Sequence, residues 1–301
     1  MAQISLTQRG PEDGGNCEYD WSDRYLDTHM ISDVGKKRQH NEDSCLLCAP
    51  EDESLANQVG VLVAVADGMG GASAGEMASR LTLTEYSQQL YSIEEGNVPS
   101  RIRGSIEWAN ERVFEESRKN PAFHGMGTTL SALSIVGDIA YIGHVGDSRV
   151  YVLRKGGDLV QITQDHSLVA EQLRSGMINE EEARNHSLKN LIMRAVGIKE
   201  AVQTDVFCAR LEEHDTLLIC SDGLTNMVDD ATIAEALSME TLQGAARILV
   251  GKALEAGGVD NITVALVRVS GRPPRTEVQE GCEVVELASS GLMGKIKKLL
   301  T

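Results

Sequence analysis

Residues 141–160 read YIGHVGDSRVYVLRKGGDLV. Two Val- and Tyr-containing runs, 139–145 and 149–154, flank the turn Gly146-Asp147-Ser148. A second turn, Lys155-Gly156-Gly157-Asp158, leads to a third run ending at Val160. Connections this short cannot hold a helix, so the stretch predicts an antiparallel meander. Further strands are predicted at 59–66, 216–220 and 262–269, all rich in apolar residues. Helical periodicity recurs at Ala74, Ala78 and Leu81, at Ile102, Ile106, Ala109 and Val113, and at Leu242, Ala245, Leu249 and Ala253. Hairpins mixed with long helices point to an α+β fold, with antiparallel sheets covered by helices rather than a parallel doubly wound sheet.

Around these elements the apolar runs recur from 25 to 270 without a long linker, which predicts one domain. Residues 1–24 are polar, with Gly10, Pro11, Gly14 and Gly15, and are expected to form a flexible tail. Gly271-Arg272-Pro273-Pro274 should end the last strand, and the acidic stretch 277–286 should be solvated. The C-terminal tail, 271–301, closes on a short basic segment with Leu292, Ile296, Leu299 and Leu300 at helical spacing. A frayed terminal helix and a partner- or membrane-touching one are both open readings of it.

The 301 residues hold 28 Lys plus Arg against 45 Asp plus Glu, a net charge of −17, which excludes a general nucleic-acid binder. Of the six cysteines only Cys45 and Cys48 form a C-x-x-C pair, and no second close pair completes a zinc site. With no secretory leader and no apolar stretch near a membrane span, the expectation is a soluble, reduced, cytoplasmic monomer without structural disulfides.

The acids follow a pattern. The run Val61-Leu62-Val63-Ala64-Val65-Ala66 leads straight into Asp67-Gly68, and Leu217-Leu218-Ile219-Cys220 into Ser221-Asp222-Gly223. Asp260-Asn261 immediately precedes the strand at 262, and Asp147 follows the strand ending at Val145. One Asp-Gly after a strand is usually a turn. Carboxylates converging from several strand ends would repel one another unless a cation joined them. Hard divalent ions such as Mg and Mn take such oxygen ligands, and a two-metal hydrolytic site is the chemistry that follows. Upstream, Arg38 precedes Asn41-Glu42-Asp43, and its guanidinium fork matches phosphate oxygens. The turn Asp67-Gly68-Met69-Gly70-Gly71 is no nucleotide loop, since no Gly-Lys-Ser/Thr follows it. His144 sits in an apolar strand and reads as core. His166 lies at a helix start, with Asp165 as the expected cap. Thr128 and Thr129 read equally as structural or as supporting the acids.

Taken in order, these motifs resemble the metal-dependent type 2C, or PPM, serine/threonine protein phosphatases, and most of all their bacterial branch. The matching residues are Arg38 with Asn41-Glu42-Asp43, Val65 to Gly71, Gly75-Glu76 with Ala78-Ser79, and Gly125 to Thr129. They continue through His144 to Arg149, Asp165-His166-Ser167, Leu191 to Ala195, Ser221 to Leu224 and Asp260 to Thr263. The resemblance implies an α-β-β-α sandwich with two antiparallel sheets stacked between helices. It implies that Asp67 bridges two Mn or Mg ions, the Gly68 carbonyl touches the second, and Asp222 and Asp260 hold the first. Glu42 and Asp43 would act through bound water, Asp147 at a third, weaker metal, and Asn261 by orienting Asp260. Arg38 would bind the substrate phosphate. The implied activity is hydrolysis of phosphoserine and phosphothreonine by a hydroxide bridging the two metals. Phosphoproteins are the implied partners, among them a serine/threonine kinase or its substrates. Met69 stands where many eukaryotic members carry a His. In the flap-like segment 168–190, Asn185 stands where bacterial relatives often have Ser.

Rival chemistries fit less well. A cysteine phosphatase needs Arg six residues after the nucleophile, and none of the six cysteines has one. The tripeptide Asn-His-Glu of another metallophosphatase class is absent. A catalytically weak phosphoprotein-binding module of the same fold is the alternative, but such proteins typically lose a metal carboxylate, and Asp67, Asp222 and Asp260 are all retained.

Overall fold

The structure, a computed structural model, describes residues 6–93, 95–184, 186–188 and 191–287. In chain order its first elements are β1 (Leu6–Gly10), β2 (Cys17–Ser22), β3 (Leu26–Asp33), β4 (Asp43–Ala49), α1 (Glu53–Gln58), β5 (Val61–Met69), α2 (Ala72–Ser92) and α3 (Val98–Lys119). There follow β6 (Gly127–Thr128), β7 (Leu130–Val136), β8 (Ile139–Val145), β9 (Arg149–Leu153), β10 (Leu159–Gln161), α4 (Leu168–Arg174) and α5 (Glu180–Arg184). The chain continues through β11 (Asp205–Arg210), β12 (Thr216–Cys220), α6 (Asp222–Thr225), α7 (Asp230–Leu237), α8 (Leu242–Glu255), β13 (Ile262–Val269) and β14 (Glu283–Val284).

One sheet runs β1-β4-β5-β7-β8-β11-β14, with β6 paired to β5, and the other runs β10-β9-β12-β13-β3-β2. Every neighbouring pair is antiparallel except β11 with β14. Strand period explains the layers. In β5, Val61, Val63 and Val65 face the other sheet, while Leu62, Ala64 and Ala66 face the helices α2 and α3. In β12, Leu217 and Ile219 face inward between the sheets, and Leu218 and Cys220 pack under α7 and α8. Both faces of these strands are buried, so they read in the sequence as continuous apolar runs without alternation. The result is the α-β-β-α sandwich that the resemblance implied.

Three expectations are corrected. The meander is broken at its first turn, because β8 and β9 lie in different sheets. Strand β8 is already paired on both sides, by β7 and β11, so β9 has no free edge there and crosses to β12. Gly146 makes the crossing at φ +116°, where a Cβ would lie 2.5 Å from Thr129 Cγ2. Only the β9–β10 hairpin remains of the predicted meander.

The N-terminal stretch, expected to be a flexible tail, supplies edge strands to both sheets: β1 pairs β4 and β2 pairs β3. Cys17, Tyr19 and Trp21 alternate inward against the core while Glu18, Asp20 and Ser22 face out, a period-2 signal hidden among polar residues. The absence of structural disulfides is also overturned: Cys208 and Cys282 are joined. The tail beyond Val269 folds back so that β14 lies parallel to β11, with Phe207 opposite Glu283 and Cys208 opposite Val284. A separation of 74 residues carries no local signal of that pairing. The basic segment 291–301 lies outside the described residues. Among the described residues, no helix is long and apolar enough to cross a membrane.

Ile219 is fully buried between the sheets, two residues before Ser221. Ile219→Ala is expected to destabilise the protein by about 2–5 kcal/mol, measured by chemical denaturation. A loss well below that range would show that the two sheets do not close on this side chain.

Candidate metal centre

The strand directions bring the predicted acids to one end of the sandwich. Asp43 opens β4 directly opposite Asp67 near the end of β5, which runs three residues past the apolar run that predicted it. Asp222 follows β12, Asp260 precedes the neighbouring antiparallel β13, and Asp147 lies in the turn that crosses from β8 to β9.

Asp43 is the deepest of them, with 1% of its surface exposed. Its Oδ2 accepts hydrogen bonds from Ser221 Oγ and Thr263 Oγ1, both at 2.7 Å. With that proton committed, Thr263 Oγ1 accepts from Ser32 Oγ at 2.7 Å, and Ser32 Oγ accepts from Asn41 Nδ2 at 2.9 Å. A ladder of hydroxyls from the opposite sheet thus ends on one carboxylate of β4. Sequence reasoning missed Ser32, Ser221 and Thr263 in this role, because lone hydroxyls in strands carry no signal of their own.

Asp67 is held through its backbone. Its N–H donates to Thr129 Oγ1 at 2.9 Å, and its carbonyl accepts from Thr128 Oγ1 at 2.8 Å. Thr129 Oγ1 also meets Ser148 Oγ at 2.7 Å, so the same hydroxyl links Asp67 to the turn that carries Asp147. Gly68 is a glycine of necessity, and Gly75 leaves room for the Glu42 carboxylate. A Cβ at Gly68 would lie 2.1 Å from the Gly75 carbonyl oxygen, and one at Gly75 would lie 2.0 Å from Glu42 Oε2. The first turn of α2 therefore rests directly on the site.

Asn261 bonds Asp260 through its backbone N–H, and its side chain has a further role. Its side chain clamps the loop before β4, accepting from Glu42 N at 2.8 Å and donating to the carbonyls of Val34 at 2.9 Å and His40 at 3.1 Å. The bond to Asp260 Oδ1 comes from the Asn261 backbone N–H, at 2.9 Å. Arg38, half exposed at the rim, reaches across the acids: Nη2 donates to Asp260 Oδ2 at 2.9 Å, and Nη1 lies 3.6 Å from Glu42 Oε1.

The electrostatics are those of like charges gathered away from water. Desolvation, and then the charges of Asp43, Asp222, Asp147 and Asp260, hold Asp67 well above the usual carboxylate range. Burial pushes Asp43 up to about 7, partly opposed by its hydroxyl donors, and pushes Asp147 up to about 8 together with the charge of Asp222. Desolvation and Asp260 raise Asp222 to about 6. Asp147 Oδ1 is buried without a hydrogen-bond partner. An acceptor left unsatisfied in a ring of acids fits a cation, not a further donor. Among the described residues no three such side chains converge tightly enough to wrap an ion unaided. The donor set therefore fits hydrated divalent ions of the Mg or Mn kind, which keep several waters.

The histidines fall outside this set. His144 is fully buried, bonded to Ser131 Oγ at 3.0 Å and to the Gln164 carbonyl at 3.1 Å. His166 Nδ1 accepts from Gly146 N at 3.1 Å, which leaves Nε2–H to donate to Asp205 Oδ2 at 2.9 Å. The cap of α4 is Ser167 and not the expected Asp165, whose carboxylate is held by Arg149. Asn185 lies outside the described residues.

A family model described as protein phosphatase 2C matches residues 35–251. The serine/threonine phosphatase stp of Listeria monocytogenes is 41% identical over 241 residues, covering 78% of this chain and 93% of its own. Among solved structures, the serine/threonine phosphatase Stp1 from Staphylococcus aureus superposes with a TM-score of 0.75 at 32% identity, covering 82% of this chain and 96% of that one. The catalytic domain of the serine threonine protein phosphatase PstP in complex with 2 manganese ions superposes with a TM-score of 0.71 at 35% identity, covering 82% and 99%. All the motifs except Asp260 to Thr263 lie within the family match, and the strand ends bring their acids to one place. The chain belongs to the protein phosphatase 2C family.

Proposed function

We propose that this chain hydrolyses phosphoserine and phosphothreonine in proteins at the acidic end of the sandwich, with two divalent cations. The observation that carries the reading is the environment of Asp67, whose carboxyl is raised first by desolvation and then by the charges of four neighbouring aspartates. Cations bound there lower the pKa of water towards neutrality and neutralise charge on a phosphoryl group. Asp67, the Gly68 carbonyl, Asp222 and Asp260 are the proposed holders. Glu42 and Asp43 would act through water, and Asp147 would serve a third, weaker site. Manganese is supported by the relative solved with it, and magnesium has the same liking for oxygen.

The chain's own residues do the rest. Asp43 and its hydroxyl ladder fix the spacing between the sheets, so that the acids on β5, β12 and β13 keep their separation. Asn261 fixes the loop that carries Arg38. The Arg38 guanidinium, which leans on Asp260 and Glu42 at the rim, would bind two oxygens of the substrate phosphate. The flanking acidity of the chain, −17 in all, disfavours acidic phosphosites and favours neutral or basic ones. A serine/threonine kinase or its substrates in the cytoplasm, met by a monomeric phosphatase, is the setting that this reading implies.

Turnover of a phosphothreonine peptide tests the reading. Activity is expected with Mn2+ and none in EDTA. Asp222→Asn should cost more than the roughly 10–100-fold typical of an outer partner, whereas Asp43→Asn should fall within that range. Full activity in EDTA, or an unimpaired Asp222→Asn, contradicts the mechanism. Arg38→Ala is expected to raise KM for phosphate esters while leaving Mn2+ binding largely intact, and unchanged kinetics would remove Arg38 from the site.

The acids also set a pH dependence. Asp222, Asp43 and Asp147 are raised to about 6, 7 and 8, above their ordinary 3.8, so without cations the stability they contribute is present while they are protonated. It is lost as pH climbs through those values. The Tm of metal-free protein should therefore fall between about pH 5 and pH 9, and Mn2+ should remove the fall. A metal-free Tm that is flat or rising over that range contradicts the cluster.

A further inference from the structure

We propose that Cys17 and Cys45 form a modification site, a hydroperoxide-responsive thiol pair whose closure to a disulfide disturbs the seat of Asp43. Their sulfurs lie 3.9 Å apart, although the strands that carry them, β2 and β4, belong to different sheets. Cys45 is fully buried, but Cys17 is only partly so, and with Asn16, Ser32, Asp33 and Arg247 it lines a groove of about 430 Å³. Cys17 stands on the edge strand β2 and is the more exposed of the two, so it is the thiol that a small peroxide meets first.

Gly10 makes the approach of the two sulfurs possible. It stands opposite Cys45 in the β1–β4 register, and a Cβ there would lie 2.8 Å from Cys17 Sγ. The space that a side chain at position 10 would fill is occupied by the Cys17 sulfur. The Cys17 thiol is also held below its ordinary value, chiefly by its hydrogen bond with Cys45. The same hydrogen bond, together with burial, pushes the Cys45 thiol well up, so Cys17 is the first to react, and burial pushes Cys48 and Cys220 up to about 11 and 12, which makes them useful internal controls.

The chemistry balances in two steps. The Cys17 sulfur attacks the outer oxygen of a hydroperoxide, the O–O bond breaks, an alcohol leaves, and Cys17 becomes a sulfenic acid. The Cys45 sulfur then attacks the Cys17 sulfur, the S–O bond breaks, water leaves, and a disulfide forms, two electrons in all having passed to the hydroperoxide. The sulfurs must close from 3.9 Å to about 2.05 Å. Asp43 lies two residues back along β4 and faces the same space between the sheets, where its bonds to Ser221 and Thr263 are 2.7 Å long. Drawing Cys45 towards Cys17 shifts that strand against those donors. The consequence for catalysis rests on the phosphatase reading, and the thiol chemistry does not.

The test treats the full chain, cleared of metal, with tert-butyl hydroperoxide and maps its peptides without reduction. A linked Cys17–Cys45 peptide is expected, reversed by dithiothreitol and absent from Cys17→Ser, with Cys48 and Cys220 still unmodified. In Cys45→Ala the same treatment should leave a Cys17 sulfenic acid that dimedone labels. The linked protein should lose the Mn2+-induced rise in Tm, and treated Cys17→Ser should keep it. Absence of the linked peptide, or a linked protein with a full Mn2+ response, overturns the proposal. Should the phosphatase reading itself fail, untreated protein would not turn over a phosphothreonine peptide, and the linked peptide would still form.

Discussion

The rest of the structure depends on carboxylates held close together where water cannot fully screen them. Like charges gathered away from water raise one another's pKa, and each protonation removes a ligand. The fold meets that cost locally by giving each acid a fixed seat. Asp43 receives hydroxyls from the opposite sheet, Asp67 is anchored through its backbone by Thr128 and Thr129, and Asp260 takes the Asn261 N–H. What these seats leave over is an unmet demand for positive charge. Arg38 supplies part of it, leaning on Asp260 and Glu42. A guanidinium placed there marks both where cations would relieve the acids and where a phosphate would then be received.

The seats explain why the sandwich is built as it is. The hydroxyl ladder runs from Asn41 through Ser32 and Thr263 to Asp43, crossing from one sheet to the other at the end where the acids lie. The apolar layer between the sheets, with Val63, Val65, Ile219 and Ala265 in it, keeps the sheets in contact farther in. The turn at Gly146 crosses the same gap from β8 to β9 and carries Asp147 with it. Two sheets brought together only by apolar packing could slide by fractions of an ångström. The polar bonds at this end fix the distance at the point where chemistry needs it.

Much of this was legible in the sequence, for physical reasons. Strands buried on both faces read as continuous apolar runs, so β8, β12 and β13 begin and end where the pattern predicts. The acids were legible because each stands at one end of such a run, and Arg38 because the motifs around it fall in family order. What stayed hidden depends on distant partners. Nothing local in Gly146-Asp147-Ser148 says that both edges of β8 are taken, so the turn reads as a hairpin. Cys208 and Cys282 meet only because the tail folds back along β11. Strand β2 alternates correctly, but among polar residues between Gly-rich turns its three inward side chains look like a tail. The resemblance gave Asn261 a bond to Asp260, which its backbone makes, and nothing local says that its side chain also reaches the loop before β4.

The central claim is that these raised carboxyls are a cation site, and proton counting tests it most directly. Calorimetric titration of Mn2+ into metal-free protein near pH 6.5, repeated in buffers of different ionisation enthalpy, measures the protons released on binding. Asp43 and Asp147, held at about 7 and 8, are largely protonated at that pH, so net proton release is predicted. Binding should also weaken as pH falls. Mn2+ binding with no proton release, or no binding at all, would contradict the account.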